Sequence, residues 1–353
     1  MPRPMTLSAY LTAAGTAGGP QGEAIRQTVH ALAMAGARIA ELLAQGDAAG
    51  RLAAARGPAT HGDAPKELDL RADALVAASL ADMPVASLAS EEQEAPVRLN
   101  RGAPLAVAVD PLDGSSNIET NAPLGTIFSI LPAADDPAAP FLQPGSAQLA
   151  AGFLIYGPQT ALVLTLGDGT HRFTLDRATG EFVCHAPPAA VPLTTTEYAI
   201  NAANLRHWDE PTRSYVNDCL LGADGPRGID FNTRWIASVV ADAYRILVRG
   251  GVYLYPGDSR PSYRQGRLRL VYEANPIAWL IEEAGGAATD GRRRILGLVP
   301  RSIHQRVPLV FGAAEEVRRI ADAHVGAASD APLFGYRGLL RPAPMLARAP
   351  SCL

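Results

Sequence analysis

One short run constrains this chain more than any other: Val107 to Thr120, VAVDPLDGSSNIET. A short apolar strand over 105–109 stops at Asp110, which puts a carboxylate at the strand's carboxyl end, where open α/β sheets hold their ligands. Pro111 biases Asp110 to an extended backbone and has no N–H to donate, so the chain turns and brings Asp113 back beside it. Paired carboxylates suit a hard divalent cation. Gly114, Ser115 and Ser116 carry no bulk, and a helix starting there would turn free N–H groups and a favourable dipole toward a phosphate. The same residues also spell an ordinary β-turn followed by a helix cap. Company has to decide between the two readings.

The rest of the chain supplies elements in mixed order. Apolar residues at Ile25, Val29, Leu32, Ile39 and Leu42 predict an amphipathic helix over 23–43, and Leu68, Ala72, Leu75, Val76 and Leu80 a second over 66–80. Asp69 and Asp73 lie on the opposite flank of that second helix, like charges four apart that need compensation. Strands are expected at 85–89 and 105–109, followed by an antiparallel meander over 149–185 with turns at Gly157-Pro158, Gly167-Asp168-Gly169 and Ala178-Thr179-Gly180. The proline-rich stretch 186–192 marks a boundary. Beyond it the pattern predicts a helix at 235–248, strands at 251–255 and 267–273, a helix capped by Asn275 with Pro276 in its first turn, a strand at 308–312 and a helix at 315–323. Strands mingled with helices make a layered α/β protein.

Composition excludes several classes. A net charge of −4 offers no broad basic face, which argues against nucleic acid. No apolar run approaches the length of a membrane span, and the start MPRPMTLSAYL lacks the apolar core of a secretion signal. Cys184, Cys219 and Cys352 are scattered and odd in number, which fits neither a disulfide framework nor a zinc site and suits a reducing cytoplasm. Lys66 is the only lysine among 353 residues.

Further acids and arginines could complete a site around the opening run. Glu91 and Glu92 follow the apolar run VASLA, either as a solvated loop or as further cation ligands. Period two in RLRLVYE places Arg267, Arg269, Val271 and Glu273 on one strand face, either a solvated salt ladder or a site where Glu273 meets metal and the arginines meet phosphate. Gly62-Asp63 precedes the helix that bears Asp69.

Together these residues resemble class I fructose-1,6-bisphosphatase, the sugar bisphosphatase branch of the inositol monophosphatase-like superfamily. The match centres on Asp110-Pro111-Leu112-Asp113-Gly114-Ser115-Ser116-Asn117. It extends through Gly62-Asp63 to Asp69, Ser90-Glu91-Glu92, Asn201, TRWIASVVAD with Arg234, GGVYLYP with Tyr255, RLRLVYEANP and IHQRVPLVFG, from about residue 7 to 322. The resemblance implies a layered α-β-α-β-α sandwich of two subdomains, each with a mixed sheet, divided as 1–188 and 189–326 with a tail at 327–353. It implies a cytoplasmic homotetramer that hydrolyses the 1-phosphate of D-fructose 1,6-bisphosphate in gluconeogenesis or the Calvin cycle, using two or three Mg²⁺ per subunit, with Mn²⁺ as a substitute. Its metal ligands fall on Glu91, Glu92, Asp110, the Leu112 carbonyl, Asp113 and Glu273; its catalytic carboxylates on Asp63, Asp69 and Glu92. Substrate contacts fall on Asp113, Gly114, Ser115, Ser116 and Arg269 for the 1-phosphate end, and on Asn201, Arg234, Trp235, Tyr255 and Arg267 for the sugar and 6-phosphate, with Arg234 reaching in from a neighbouring subunit.

The chain departs from the family at Arg267, where a lysine is usual, and at Trp235 and Asn204, where tyrosines are usual. A guanidinium differs from an ammonium in shape and hydration, and an indole offers one N–H donor. These changes leave room for a sedoheptulose-1,7-bisphosphatase or a dual-specificity enzyme. An inositol monophosphatase would not need the second phosphate pocket, and a non-catalytic sugar-phosphate sensor would not need every metal carboxylate.

Overall fold

The computed structural model describes residues 5–13, 19–50, 52–55, 66–184 and 186–329. Asp63 and the tail beyond 329 lie outside them. Among the described residues, the first sheet has nine strands: β1 (Met5–Thr6), β2 (Val85–Ser90), β3 (Val97–Arg98), β4 (Leu105–Asp113), β5 (Leu124–Pro132), β6 (Ala150–Tyr156), β7 (Thr160–Thr165), β8 (Thr170–Asp176) and β9 (Glu181–Cys184). Their order is β1-β9-β8-β7-β6-β5-β4-β2-β3. β2 and β4 run parallel, whereas β6 to β9 form the expected antiparallel meander. The second half contributes β10 (Glu197–Ala199), β11 (Asn232–Thr233), β12 (Val252–Tyr255), β13 (Leu268–Arg269), β14 (Ala287–Thr289), β15 (Arg306–Val307) and β16 (Leu309–Gly312). A mixed sheet runs β11-β10-β12-β16-β14, and β13 pairs with β15 in a separate antiparallel ribbon.

Among the described residues, seven α-helices cover these sheets: α1 (Leu7–Ala13), α2 (Pro20–Gln45), α3 (Glu67–Leu80), α4 (Glu210–Leu221), α5 (Val239–Arg249), α6 (Asn275–Glu283) and α7 (Ala314–Ser329). Alternation along each strand decides which layer it feeds. Val107, Val109, Phe128, Ile130 and Leu154 pack with Val29, Leu32 and Leu68 of α2 and α3. Their neighbours Ile127, Phe153 and Val163 point the other way, onto Val240 of α5 and Ile277, Leu280 and Ile281 of α6, which also meet Tyr253 and Phe311 of the second sheet. That sheet's far face packs Leu254 and Val310 against Tyr215 and Val216 of α4 and Val317 and Ile320 of α7. The layers therefore read α-β-α-β-α, the expected architecture. Among the described residues no helix is long and apolar enough to cross a membrane.

Several local expectations are corrected. Only Leu268 and Arg269 of the stretch 267–273 are strand; Leu270–Ala274 is a wide π-helical turn that runs straight into α6. Pro276 supplies the reason, because in a regular helix its ring would strike the carbonyl of Tyr272, and the bond from Asn275 N–H to the Leu270 carbonyl opens the turn instead. Asn275 is consequently inside the helical run and caps nothing. The helix expected from 235 starts at Val239. Asp69 and Asp73 are buried, not solvated: Asp69 accepts the Lys66 N–H at 2.7 Å, and Asp73 accepts from the Ser90 hydroxyl and the Gln93 amide, both at 2.6 Å. Those bonds supply the compensation that the helix pattern demanded.

Helices α4 and α7 are joined by His324, whose Nδ1 lies 2.7 Å from the Ile320 carbonyl and Nε2 3.0 Å from the Asp209 carboxylate. Both partners can only accept, so both ring nitrogens must donate and the imidazole is held as its cation. For His324 burial opposes that charge, but the bond to Asp209 and the Ile320 carbonyl outweigh it and raise the pKa. For Asp209 burial is likewise outweighed, by His324 and Thr212, and its pKa falls to about 2. The raised histidine contributes stability that is complete below its unfolded value of about 6.5 and fades as pH climbs through the folded value; the depressed aspartate contributes above its unfolded value of about 3.9 and fades as pH falls toward 2. His324→Gln is expected to cost ~1 kcal/mol near pH 5, below the usual range for a charge-assisted bond because Asp209 is half exposed. Thermal melts at pH 5 and pH 9 check this, with the difference from the parent shrinking at the higher pH.

Candidate active site

The site is built on a parity change in β4. Residues three apart on a regular strand face opposite sides, so Asp110 and Asp113 should diverge. Instead, Asp110 pairs with Ile127 and Asp113 with Gly125, three steps against two, and the bulge turns both carboxylates to one side. The Thr126 hydroxyl donates to the Pro111 carbonyl at 2.8 Å and fixes the bulge from beneath, while Leu112 N–H bonds the Asp110 carboxylate at 3.0 Å. The strand thus continues to Asp113 and does not stop at Asp110.

Glu273 reaches the same point by the other backbone irregularity. The π turn folds its carboxylate back to accept the Arg269 N–H. Carboxylate oxygens of Asp110, Asp113 and Glu273, all buried, lie within 4.8 Å of one another. Burial drives each of these acids upward, and neighbouring charges, above all Glu91, add to it: Asp110 and Glu273 go well above the usual carboxylate range and Asp113 to about 6. For Asp113 the climb is limited by bonds from the Ser238 hydroxyl at 2.9 Å and the Val240 N–H at 3.1 Å. Those donors come from the start of α5, which can approach because Gly125 has no Cβ; a methyl there would lie 2.4 Å from the Leu154 carbonyl and 2.5 Å from Val240.

Around this trio stand further expected residues. The Arg269 guanidinium lies 3.5 Å from the half-buried Glu91. Burial, then Asp69, Glu91 and Asp73, lift Glu92 to about 8, and burial lifts Asp69 to about 6. Gly114 has φ of 80°, a conformation that favours glycine, and opens a short 3-10 turn over Ser115–Thr120, not a full helix. Lys66, at the head of α3, donates from Nζ to the Ser115 carbonyl at 2.9 Å, tying the helix that carries Asp69 to this turn.

The distal residues are less tightly gathered. Trp235 stacks on Tyr253 and meets Tyr255 edge-on, with ring centroids 5.5 and 5.6 Å apart. Arg267 lies over Tyr263 at 3.7 Å and near Tyr255 at 5.8 Å. Asn201 caps its own turn by accepting the Ala203 N–H, and the exposed Arg234 comes no nearer than 3.8 Å to Glu197. Asn204 accepts from Arg260. Sequence reasoning missed Ser238, Val240 and Thr126. A serine just before V-V-A-D could have marked where α5 starts, but its hydroxyl serves Asp113, not the helix cap.

Hard oxygen donors in this number fit a divalent cation such as Mg²⁺ or Mn²⁺, and one oxygen of Asp69 is buried without a partner. A turn of small residues and an arginine beside those acids suit a phosphate ester. Comparison with known proteins agrees. Residues 11–187 match the family model for the fructose-1-6-bisphosphatase N-terminal domain and residues 191–325 that for its C-terminal domain. A protein named fructose-1,6-bisphosphatase class 1 from Nitrobacter hamburgensis is 54% identical over 97% of this chain and 100% of its own, and one from Acidiphilium cryptum is 58% identical over 89% and 90%. The crystal structure of Leishmania major fructose-1,6-bisphosphatase in holo form superposes with a TM-score of 0.84 at 30% identity, covering 92% of this chain and 100% of that one. With both halves matched and relatives above half identity along nearly their whole length, the chain belongs to the class 1 fructose-1,6-bisphosphatase family.

Proposed function

We propose that this protein hydrolyses the 1-phosphate of D-fructose 1,6-bisphosphate, releasing fructose 6-phosphate and phosphate, with Mg²⁺ in a site held by Glu91, Glu92, Asp110, the Leu112 carbonyl, Asp113 and Glu273. The observation that carries the reading is the buried trio of carboxylates beside the Gly114 turn and Arg269. When bound, the divalent ions supply positive charge to the phosphoryl and leaving-group oxygens. The chain's own residues do the rest. Gly114, Ser115 and Ser116 offer backbone and hydroxyl donors to the 1-phosphate, and Arg269 adds a guanidinium. Glu92 and Asp63 are the carboxylates assigned to activating the attacking water, with Asp69 assisting. Positioning and charge neutralisation dominate phosphoryl transfer, so no covalent intermediate is required.

At the other end Asn201, Arg234, Trp235, Tyr255 and Arg267 receive the sugar and the 6-phosphate. Arg234 is exposed and loosely held, which suits a residue that completes a neighbour's pocket in a cytoplasmic homotetramer. The division at 188/189 separates the phosphatase half from the sugar-binding half. A second reading, preference for sedoheptulose 1,7-bisphosphate, is favoured by the Trp235 stack and the Arg267 aromatic contact, which make the distal wall flatter and less rich in hydroxyl donors.

Three outcomes test these assignments. Asp113→Asn is expected to lower Mg²⁺-dependent phosphate release roughly 100-fold or more, about 3 kcal/mol in barrier, and to abolish the rise in Tm that Mg²⁺ gives the parent. Steady-state assays with the two bisphosphates should give the higher kcat/KM for the six-carbon ketose; the reverse ratio would establish the heptulose reading. Gly125→Ala, which pushes the start of α5 away from Asp113, should cost about 1–3 kcal/mol in denaturant melts, whereas Gly297→Ala, which meets nothing within 4 Å, should be neutral.

A further inference from the structure

In the ribbon of β13 and β15, Arg269 lies directly opposite Arg306. Like charges facing each other across a ladder oppose the pairing, and burial together with the Arg269 charge holds the Arg306 guanidinium below its ordinary pKa. Beside this pair opens a cavity of about 880 Å³, with Arg264, Arg293 and Arg301 also on its wall. The one carboxylate among its lining residues, Asp290, is already taken: Arg293 holds it at 3.0 Å, and the N–H groups of Arg292 and Arg293 bond its other oxygen at 2.9 and 2.8 Å. Among the described residues, Arg264 and Arg301 have no carboxylate partner.

Five arginines line this wall; Asp290 holds Arg293 and Glu91 faces Arg269, while Arg264 and Arg301 leave a positive basin on a chain whose net charge is −4. Concave walls focus such a field, and guanidinium groups grip phosphate oxygens two at a time. Of the residues assigned to substrate, only Arg269 lines the cavity; Asp113, the Gly114–Ser116 turn and Arg234 do not. We propose that this basin is an anion site additional to the two substrate phosphate positions, taking a phosphate dianion, free or carried on a small organic phosphate, next to the reaction centre. Because Arg269 borders both, occupancy here competes for the guanidinium that faces Glu91.

Metal-free protein silences the 1-phosphate position, because the carboxylate cluster without cations repels anions, and the distal 6-phosphate pocket is the same in parent and variant, so their difference reports on the basin. Calorimetric titration of the metal-free full chain with inorganic phosphate at low ionic strength should show binding that weakens with added salt. In the double variant Arg264→Ser/Arg301→Ser, binding should weaken at least tenfold, while Tm stays within about 2 °C of the parent because these exposed side chains hold no ion pair. Glycerol 3-phosphate, titrated in parallel, separates the sources: tighter binding than inorganic phosphate assigns the site to an organic phosphate, and weaker binding to the free anion. No binding to the parent, or equal affinities in parent and variant, would overturn the proposal. Turnover of fructose 1,6-bisphosphate with Mg²⁺ on the same preparations keeps the two readings apart: turnover without a basin sinks only the anion site, and a basin without turnover sinks only the phosphatase.

Discussion

Negative charge packed into a place that water hardly reaches is the constraint around which this molecule is arranged. Asp110, Asp113 and Glu273 are each buried, and each raises the cost of ionising the others. Left as bare anions in that interior, they would repel by an amount comparable with a domain's net stability. Only protons or cations can relieve such a cluster, so a scaffold that keeps it together stores affinity for positive charge. The surrounding order, from the five layers to the approach of α5, holds those oxygens at mutual range despite their repulsion.

Backbone irregularity does much of that holding. The bulge in β4 reverses the parity of one strand, and the π turn before α6 redirects another segment, so that carboxylates from separate elements converge. Proline is present at both places, Pro111 in the bulge and Pro276 just after the turn. Regular strand and helix geometry would have sent these side chains to different layers.

Those irregularities also explain what could be read in advance. The mixed α/β class, the meander and helices α2 and α3 follow from periodicity, which burial enforces residue by residue, and were legible; the five-layer order came from the family resemblance, and α1, α4 and β5 went unread. The Asp110–Asp113 pair was legible as chemistry. Their convergence was expected too, but through a turn; the bulge that achieves it leaves no periodic trace. Period two placed Arg269 and Glu273 on one strand face; they do meet, but through a turn, and Arg267 leaves them for Tyr263. Ser238 stayed hidden because its role depends on a glycine in a different strand, a pairing that no local pattern encodes. Asp69 and Asp73 looked like a surface liability because the residues that satisfy Asp73, Ser90 and Gln93, lie beyond the helix itself.

Arginine carries nearly all the positive charge, and the single ε-amine of the chain sits at Lys66, its nitrogen on the Ser115 carbonyl at the edge of the site. Apart from the chain's amino terminus, an acylating or reductively alkylating reagent has one side chain to find. A fluorophore or isotopic methyl group attached there would report on the junction between α3 and the Gly114 turn without competing signals from elsewhere on the surface.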